Sequence, residues 1–79
     1  MPNCRVAYLR NEKYLKSFGK HLKNLREEKN ISQADLAYEC GVEISQISRM
    51  ERGLLNTSIS NIYYIAKALQ ITPKDLLDF

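Results

Sequence analysis

Five side chains in one short stretch of the chain are of types suited to contacts with nucleotide bases. Arg49 can donate two parallel hydrogen bonds, which match O6 and N7 of guanine. Gln46 can engage adenine or a phosphate, Ser45 can donate or accept, and Ile44 offers a methyl surface suited to the C5 methyl of thymine. Together with Ser48 they form the candidate base-reading set. The alternative for each is a solvated helix face without a partner.

Four further residues are candidates for contacts with phosphate. Gln33 falls in the first turn of a predicted helix, where free N–H groups and the positive end of the helix dipole attract anions. Ser32 would cap that helix end. Arg52 lies beside a glycine, and the loop that follows reaches Asn56. Contacts of this kind position a protein on a polyanion without specifying a sequence.

Two short helices with a tight turn must position these side chains, over about residues 33–52. The first begins at Ser32, which is followed three residues later by Asp35, as in a capping box. It ends at Gly41, a residue that readily adopts the left-handed backbone. Ala37 is small where the two helices must cross closely. The apolar positions of this helix are Ala34, Leu36, Ala37 and Cys40.

The second of these short helices is predicted over residues 43–52. Ile47 and Met50 would seat it on the core, Val42 would fill the turn from the inside, and Gly53 would end it. Each of these residues is weak evidence alone. Their order and spacing together predict a helix-turn-helix.

Three more helices are predicted around this pair. The first runs from an Asn11 cap to about Glu28, with Gly19 near its buried side and a stripe of Leu15, Phe18, Leu22 and Leu25. A fourth helix, from about Ser58 to Leu69, has an inner face of Ile59, Ile62, Ile65, Ala66 and Leu69. A brief last helix has the start signals Thr72, Pro73 and Asp75. The predicted fold is all-α and compact, with a basic N-terminal arm over 1–13 and one domain over 14–79.

These segments resemble the phage-repressor type of helix-turn-helix, the Cro/cI or XRE family, over about residues 14–79. The resemblance is carried by LREEKNISQADLA, by GVEISQISRMERG, by the IxxIAxAL pattern that begins at Ile62, and by ITPKDLL. It implies a five-helix, lambda-repressor-like domain whose third helix enters the DNA major groove while the second lies across the backbone. Departures from the family pattern are Thr57 for a frequent proline, Gln70 for a frequent glycine, and Glu43 for a Ser or Thr cap.

Arg26 and Glu51 are expected to pair as part of the scaffold. Arg26 borders the apolar stripe of the first helix, and Glu51 lies four residues after Ile47 on the third. The family resemblance implies the same bridge, and an additional contact of Arg26 with a phosphate stays open.

Composition narrows the function classes. Up to Arg26 there are seven basic residues against one acidic residue, whereas from Glu27 onward there are five basic against eight acidic, so the N-terminal part carries the positive charge. This asymmetry is consistent with a nearby polyanion or with a merely solvated face. Cys4, Cys40 and His21 lack metal-site spacing, and no catalytic set of side chains emerges. We therefore expect a protein that is not an enzyme and has no metal or cofactor. No apolar run could span a membrane and no secretory pattern is present, so we expect the protein to be cytoplasmic.

The function hypothesis is a homodimeric transcriptional regulator that binds double-stranded DNA at a palindromic or pseudo-palindromic operator. One short helix reads only a few base pairs, and two subunits double the site. Apolar surface for the twofold contact would come from Leu76, Leu77 and Phe79, with Leu54, Leu55, Tyr63 or Tyr64, unless these residues complete the core.

The chain resembles stand-alone members of the family, namely phage repressors, restriction-modification controller proteins and autoregulating antitoxins. We expect no small-molecule effector, since the sequence has no second domain to bind one. The rival hypothesis is a protein-interaction module of the same fold that does not read DNA.

Overall fold

The computed structural model describes residues 11–79, and five helices form this part of the chain. They are α1 (Glu12–Glu28), α2 (Gln33–Cys40), α3 (Ile44–Glu51), α4 (Ile59–Ala68) and α5 (Pro73–Leu76). The predicted all-α class is confirmed. Asn11, Glu12 and Lys13, the last residues of the predicted arm, lie at the cap and in the first turn of α1. The remainder of the arm lies outside the described residues.

Side-chain caps fix the starts of four helices. Asn11 accepts a hydrogen bond from the backbone N–H of Tyr14, and Ser32 accepts one from Asp35 at 3.0 Å. Ser58 and Thr72 make the equivalent contacts at the starts of α4 and α5. Each cap satisfies an N–H group that the first turn of a helix leaves without a partner. Only α3 lacks one among the five, because its N-cap, Glu43, makes no such hydrogen bond.

The turn between α2 and α3 closes as the sequence predicts. Gly41 has φ of 70°, and the N–H of Val42 donates to the carbonyl of Ala37 at 3.0 Å. This is the Schellman arrangement, which satisfies the last carbonyls of α2 and reverses the chain direction. Val42 is half-buried and packs against the core.

One apolar core joins all five helices. Leu22, Leu36, Ile47, Leu69 and Leu76 are completely buried. The inner face predicted for α4 was wrong at Ile59, which is 79% exposed. Ile59 is the first residue of α4, and helical side chains lean toward the N-terminus, so this one extends past the edge of the core. Ala34, an apolar position of the second predicted helix, is also exposed.

The C-terminal residues pack against α1. Leu76 belongs to the core, and His21 Nε2 donates to the backbone carbonyl of Asp75 at 3.0 Å. The ring of Phe79 lies 4.9 Å from that of Tyr14, centroid to centroid. These contacts hold the C-terminal end of the described chain against α1.

Candidate nucleic-acid interface

The outer face of α3 carries the candidate base-reading side chains. The buried residues Ile47 and Met50 set its inner face. At about 100° per residue, Ser45, Arg49 and Arg52 project from the opposite side, and all three are exposed. The face therefore presents a hydroxyl and two guanidinium groups to solvent, and the acidic residue between the two arginines, Glu51, is buried.

Three further predicted readers flank that face. Ile44, in the first position of α3, is 51% exposed and presents methyl groups to solvent. Gln46 and Ser48 are half-buried and lie at the two margins of the helix. The structure thus keeps all five candidates accessible, with Ser45 and Arg49 the most central.

A close crossing of α1 and α3 fixes the tilt of the candidate reading helix. Gly19 is buried on α1, and a Cβ built there would collide with the backbone carbonyl oxygens of Met50 and Glu51. Only glycine allows this approach. The carboxyl end of α3 is therefore held directly against the middle of α1.

Arg26 and Glu51, which the sequence pairs as scaffold, lie together beneath the interface. Arg26 Nε donates to Glu51 Oε2 at 2.6 Å, and Nη2 donates to Oε1 at 3.1 Å. A third nitrogen, Nη1, donates to the backbone carbonyl of Ile31 at 2.8 Å. The guanidinium group of Arg26 thus connects α1, the loop before α2, and α3. The hydrogen bond to Glu51 and its negative charge raise the pKa of Arg26 above its ordinary value, although burial opposes the shift.

Gln33 belongs to the same network, which sequence reasoning missed. Its side-chain Nε2 donates to Glu51 Oε1 at 2.9 Å. The two residues are 18 positions apart on different helices, so no spacing rule could connect them. Gln33 is the first residue of α2. The contact with Glu51 leaves the side-chain carbonyl oxygen of Gln33 and one N–H for another partner. Ser32, its neighbour, is exposed while it caps the helix.

The loop after α3 carries the other candidate phosphate ligands. Gly53 has φ of 74°, and the N–H of Leu54 donates to the carbonyl of Arg49 at 2.9 Å, which ends α3 sharply. Thr57 accepts a hydrogen bond from Asn61 Nδ2 at 3.0 Å and so fixes the far end of the loop. Arg52 and Asn56 lie exposed on it.

Other kinds of site have little support in the described part of the chain. No group of three His, Cys, Asp or Glu side chains there is arranged to hold a metal ion. Cys40 is a free, half-buried thiol, and burial, followed by the charge of Glu39, raises its pKa. Cys4 lies outside the described residues. Among the described helices, none combines the length and the apolar character that crossing a bilayer demands.

The helix-turn-helix family model matches residues 22–76, which is more than half of the chain. The chain therefore belongs to this family. It is 49% identical over 63 residues to the control protein C.BamHI of Bacillus amyloliquefaciens, covering 78% of each chain.

Solved structures agree with this assignment. The restriction-modification controller protein C.AhdI of Aeromonas hydrophila matches with a TM-score of 0.77 and 39% identity, over 84% of this chain and 98% of its own. SinR, a master regulator for biofilm formation solved in complex with DNA, matches with a TM-score of 0.72 and 35% identity, over 77% of this chain and 98% of its own.

Proposed function

We propose that this protein is a sequence-specific DNA-binding transcriptional regulator that places α3 in the major groove. The observation that carries the proposal is the outer face of α3, where Ser45 and Arg49 lie opposite the buried Ile47 and Met50. A helix seated in this way can enter a groove about 12 Å wide without disturbing the core. Arg49 would donate to guanine, while Ser45, Ile44, Gln46 and Ser48 would contact neighbouring bases.

Backbone contacts would fix the register on either side of α3. Ser32 and Gln33 lie at the start of α2, where exposed N–H groups favour a phosphate. Arg52 and Asn56 would hold a second phosphate from the loop beyond α3. The Glu51 contact of Gln33 supports this role, since it orients the amide before DNA arrives.

The relatives support this function over a protein-interaction module. C.BamHI is named a control protein, C.AhdI a restriction-modification controller, and SinR was solved with DNA. The electrostatics of the α3 face agree, because its two central cations are Arg49 and Arg52. Guanidinium groups in this position suit duplex DNA, where they can donate to guanine and to phosphate.

The length of α3 supports the proposal of a homodimer on a palindromic or pseudo-palindromic operator. Eight residues of helix span about 12 Å and contact only a few base pairs. Two copies related by a twofold axis would double the site and give enough discrimination against genomic DNA.

The test begins with selection of bound duplexes from a random DNA pool. A recurring, twofold-symmetric sequence is expected. Arg49→Ala should then lower affinity for that sequence by roughly 5- to 150-fold, the equivalent of about 1–3 kcal/mol, while affinity for random duplex changes much less. Arg52→Ala is the matched comparison, since loss of a phosphate contact weakens binding to both duplexes alike. Equal losses for Arg49→Ala on both duplexes would contradict base reading, and recovery of no sequence would favour the protein-interaction module.

A further inference from the structure

Four lysines form a narrow basic stripe along α1. Lys13, Lys16, Lys20 and Lys23 follow a 3, 4, 3 spacing, which places them within about 80° of one another around the helix. All four are exposed, and none is in a salt bridge with another residue between positions 11 and 79. We call these four residues the lysine stripe. No acidic residue occurs in α1 between Glu12 and Glu27.

Contacts of α1 locate the stripe beside the carboxyl end of α3. Gly19 and Arg26 lie on α1 between its core side and the stripe. The backbone of Glu51 approaches Gly19, and the carboxylate of Glu51 accepts hydrogen bonds from Arg26. Gly53, the residue that ends α3, lies directly against Lys16, because a Cβ built on Gly53 would come 2.6 Å from Lys16 Cγ. The stripe is therefore continuous with the loop that carries Arg52 and Asn56.

We propose that the lysine stripe is a second phosphate-binding surface, which holds the DNA backbone beyond the base pairs that α3 reads. This inference rests on the proposed function and extends its footprint. Lysine ammonium groups on flexible stems bind phosphates as point charges without specifying bases. Because these side chains are already exposed, little free energy is needed to position them near the duplex. No other element of the described chain carries so many cations on one face.

The stripe should act through counterion release. Each phosphate that a protein neutralises on duplex DNA steepens the dependence of log K on log salt by about 0.9. A surface that contacts the flank also needs the flank to be present. Contact and long-range attraction therefore differ in one respect, because contact with the flank is lost completely when the duplex is shortened to the base pairs under α3, whereas attraction to the remaining phosphates persists.

The experiment compares Lys16→Gln/Lys20→Gln with the control Lys67→Gln/Lys74→Gln, whose exposed lysines lie on α4 and α5. Affinity is measured over a range of salt concentrations on the selected duplex, with long and with trimmed flanks. On long flanks we expect the slope of the stripe variant to be smaller than that of wild type by about 1.8, and that of the control to be unchanged. On trimmed duplex, wild type and stripe variant should have similar slopes.

Each outcome decides the proposal. An unchanged slope for the stripe variant on long flanks would overturn it, and so would a reduced slope that is equally reduced on trimmed duplex, since that indicates long-range attraction alone. If neither wild type nor the control variant binds any duplex, the proposed function itself fails. Circular dichroism melting should give similar midpoints for all three proteins, since every substituted side chain is exposed.

Discussion

Arg26 has a structural role at this site, although it is a cation close to the proposed interface. Its guanidinium donates to both oxygens of Glu51 and to the carbonyl of Ile31, and only 9% of the residue is exposed. These contacts use three of the five N–H groups of the guanidinium and hold the side chain within the scaffold. Because Gln33 donates to the same carboxylate, the pair also holds the start of α2 in place.

Removal of one partner should be far more harmful than removal of both. Arg26→Ala leaves the Glu51 carboxylate buried without its cation, which should cost about 3–5 kcal/mol of unfolding free energy. Arg26→Met combined with Glu51→Leu removes the buried charge and should recover most of that loss. Urea unfolding of the three variants and wild type would measure both effects. If the double variant were no more stable than Arg26→Ala, the stranded charge could not be the cause.

At the scale of the helices, the ends matter as much as the apolar faces. Both α4 and α1 are followed by a non-glycine residue with a left-handed backbone, Gln70 with φ of 59° and Asn30 with φ of 57°. After Gln70, the N–H of Ile71 donates to the carbonyl of Ala66 at 3.0 Å, which is the Schellman arrangement. Asparagine tolerates this backbone, but glutamine has no such advantage.

Gln70→Gly should therefore stabilise the protein. Glycine enters the left-handed region without a steric penalty, and we expect a gain of about 0.5–1 kcal/mol after the entropy of the unfolded chain is counted. Lys67→Gly is the control, because Lys67 is equally exposed but lies inside α4, where glycine should cost about 1 kcal/mol. Thermal unfolding of both variants would check the opposite signs. A loss of stability for Gln70→Gly would contradict the strain argument.

The helices were predictable because their signals are local. Ser32, Gly41 and Gly53 are readable from residue type, and each lies within two residues of an observed helix end. Ile59 failed because periodicity alone cannot tell where the core stops, and the stripe of α4 begins one turn later, at Ile62.

The candidate site was predictable only in part. The outer positions of α3 follow from the Ile47 and Met50 stripe, and Arg26 could be paired with Glu51 because both border apolar stripes. The Gln33 contact and the position of Lys16 against Gly53 depend on how α1, α2 and α3 cross in three dimensions. A small residue such as Ala37 indicates that two helices cross closely, but it does not show which distant side chains the crossing brings together.

At the scale of the whole molecule, apolar surface remains uncovered on the side that includes α4 and the C-terminus. Leu76 was expected as a dimer contact, but it is completely buried and so belongs to the core. Leu77 and Tyr63 are 40% and 53% exposed, and Ile59 adds the most exposed isoleucine among the described residues. Ile59 and Leu77 line one groove with Tyr14. Leu77 and Tyr63 belong to the predicted contact surface, whose members Leu54, Tyr64 and Phe79 are exposed as well, and Ile59 extends that surface.

Ile59→Glu combined with Tyr63→Glu should convert the proposed dimer into a monomer. A twofold axis brings each substituted side chain against the same surface of the other copy. The contact would therefore have to bury two copies of each added charge. Neither side chain is part of the core, and thus the fold should persist. Tyr38→Glu is the control, because Tyr38 is 85% exposed on α2, away from this cluster. Sedimentation at micromolar concentration would measure the change, and binding to a full operator and to a single half-site would show its effect on DNA. The variant should lose affinity for the full operator and retain that for the half-site. A wild-type protein that sediments as a monomer both with and without operator would contradict the dimer, because each α3 would then have to find its site alone.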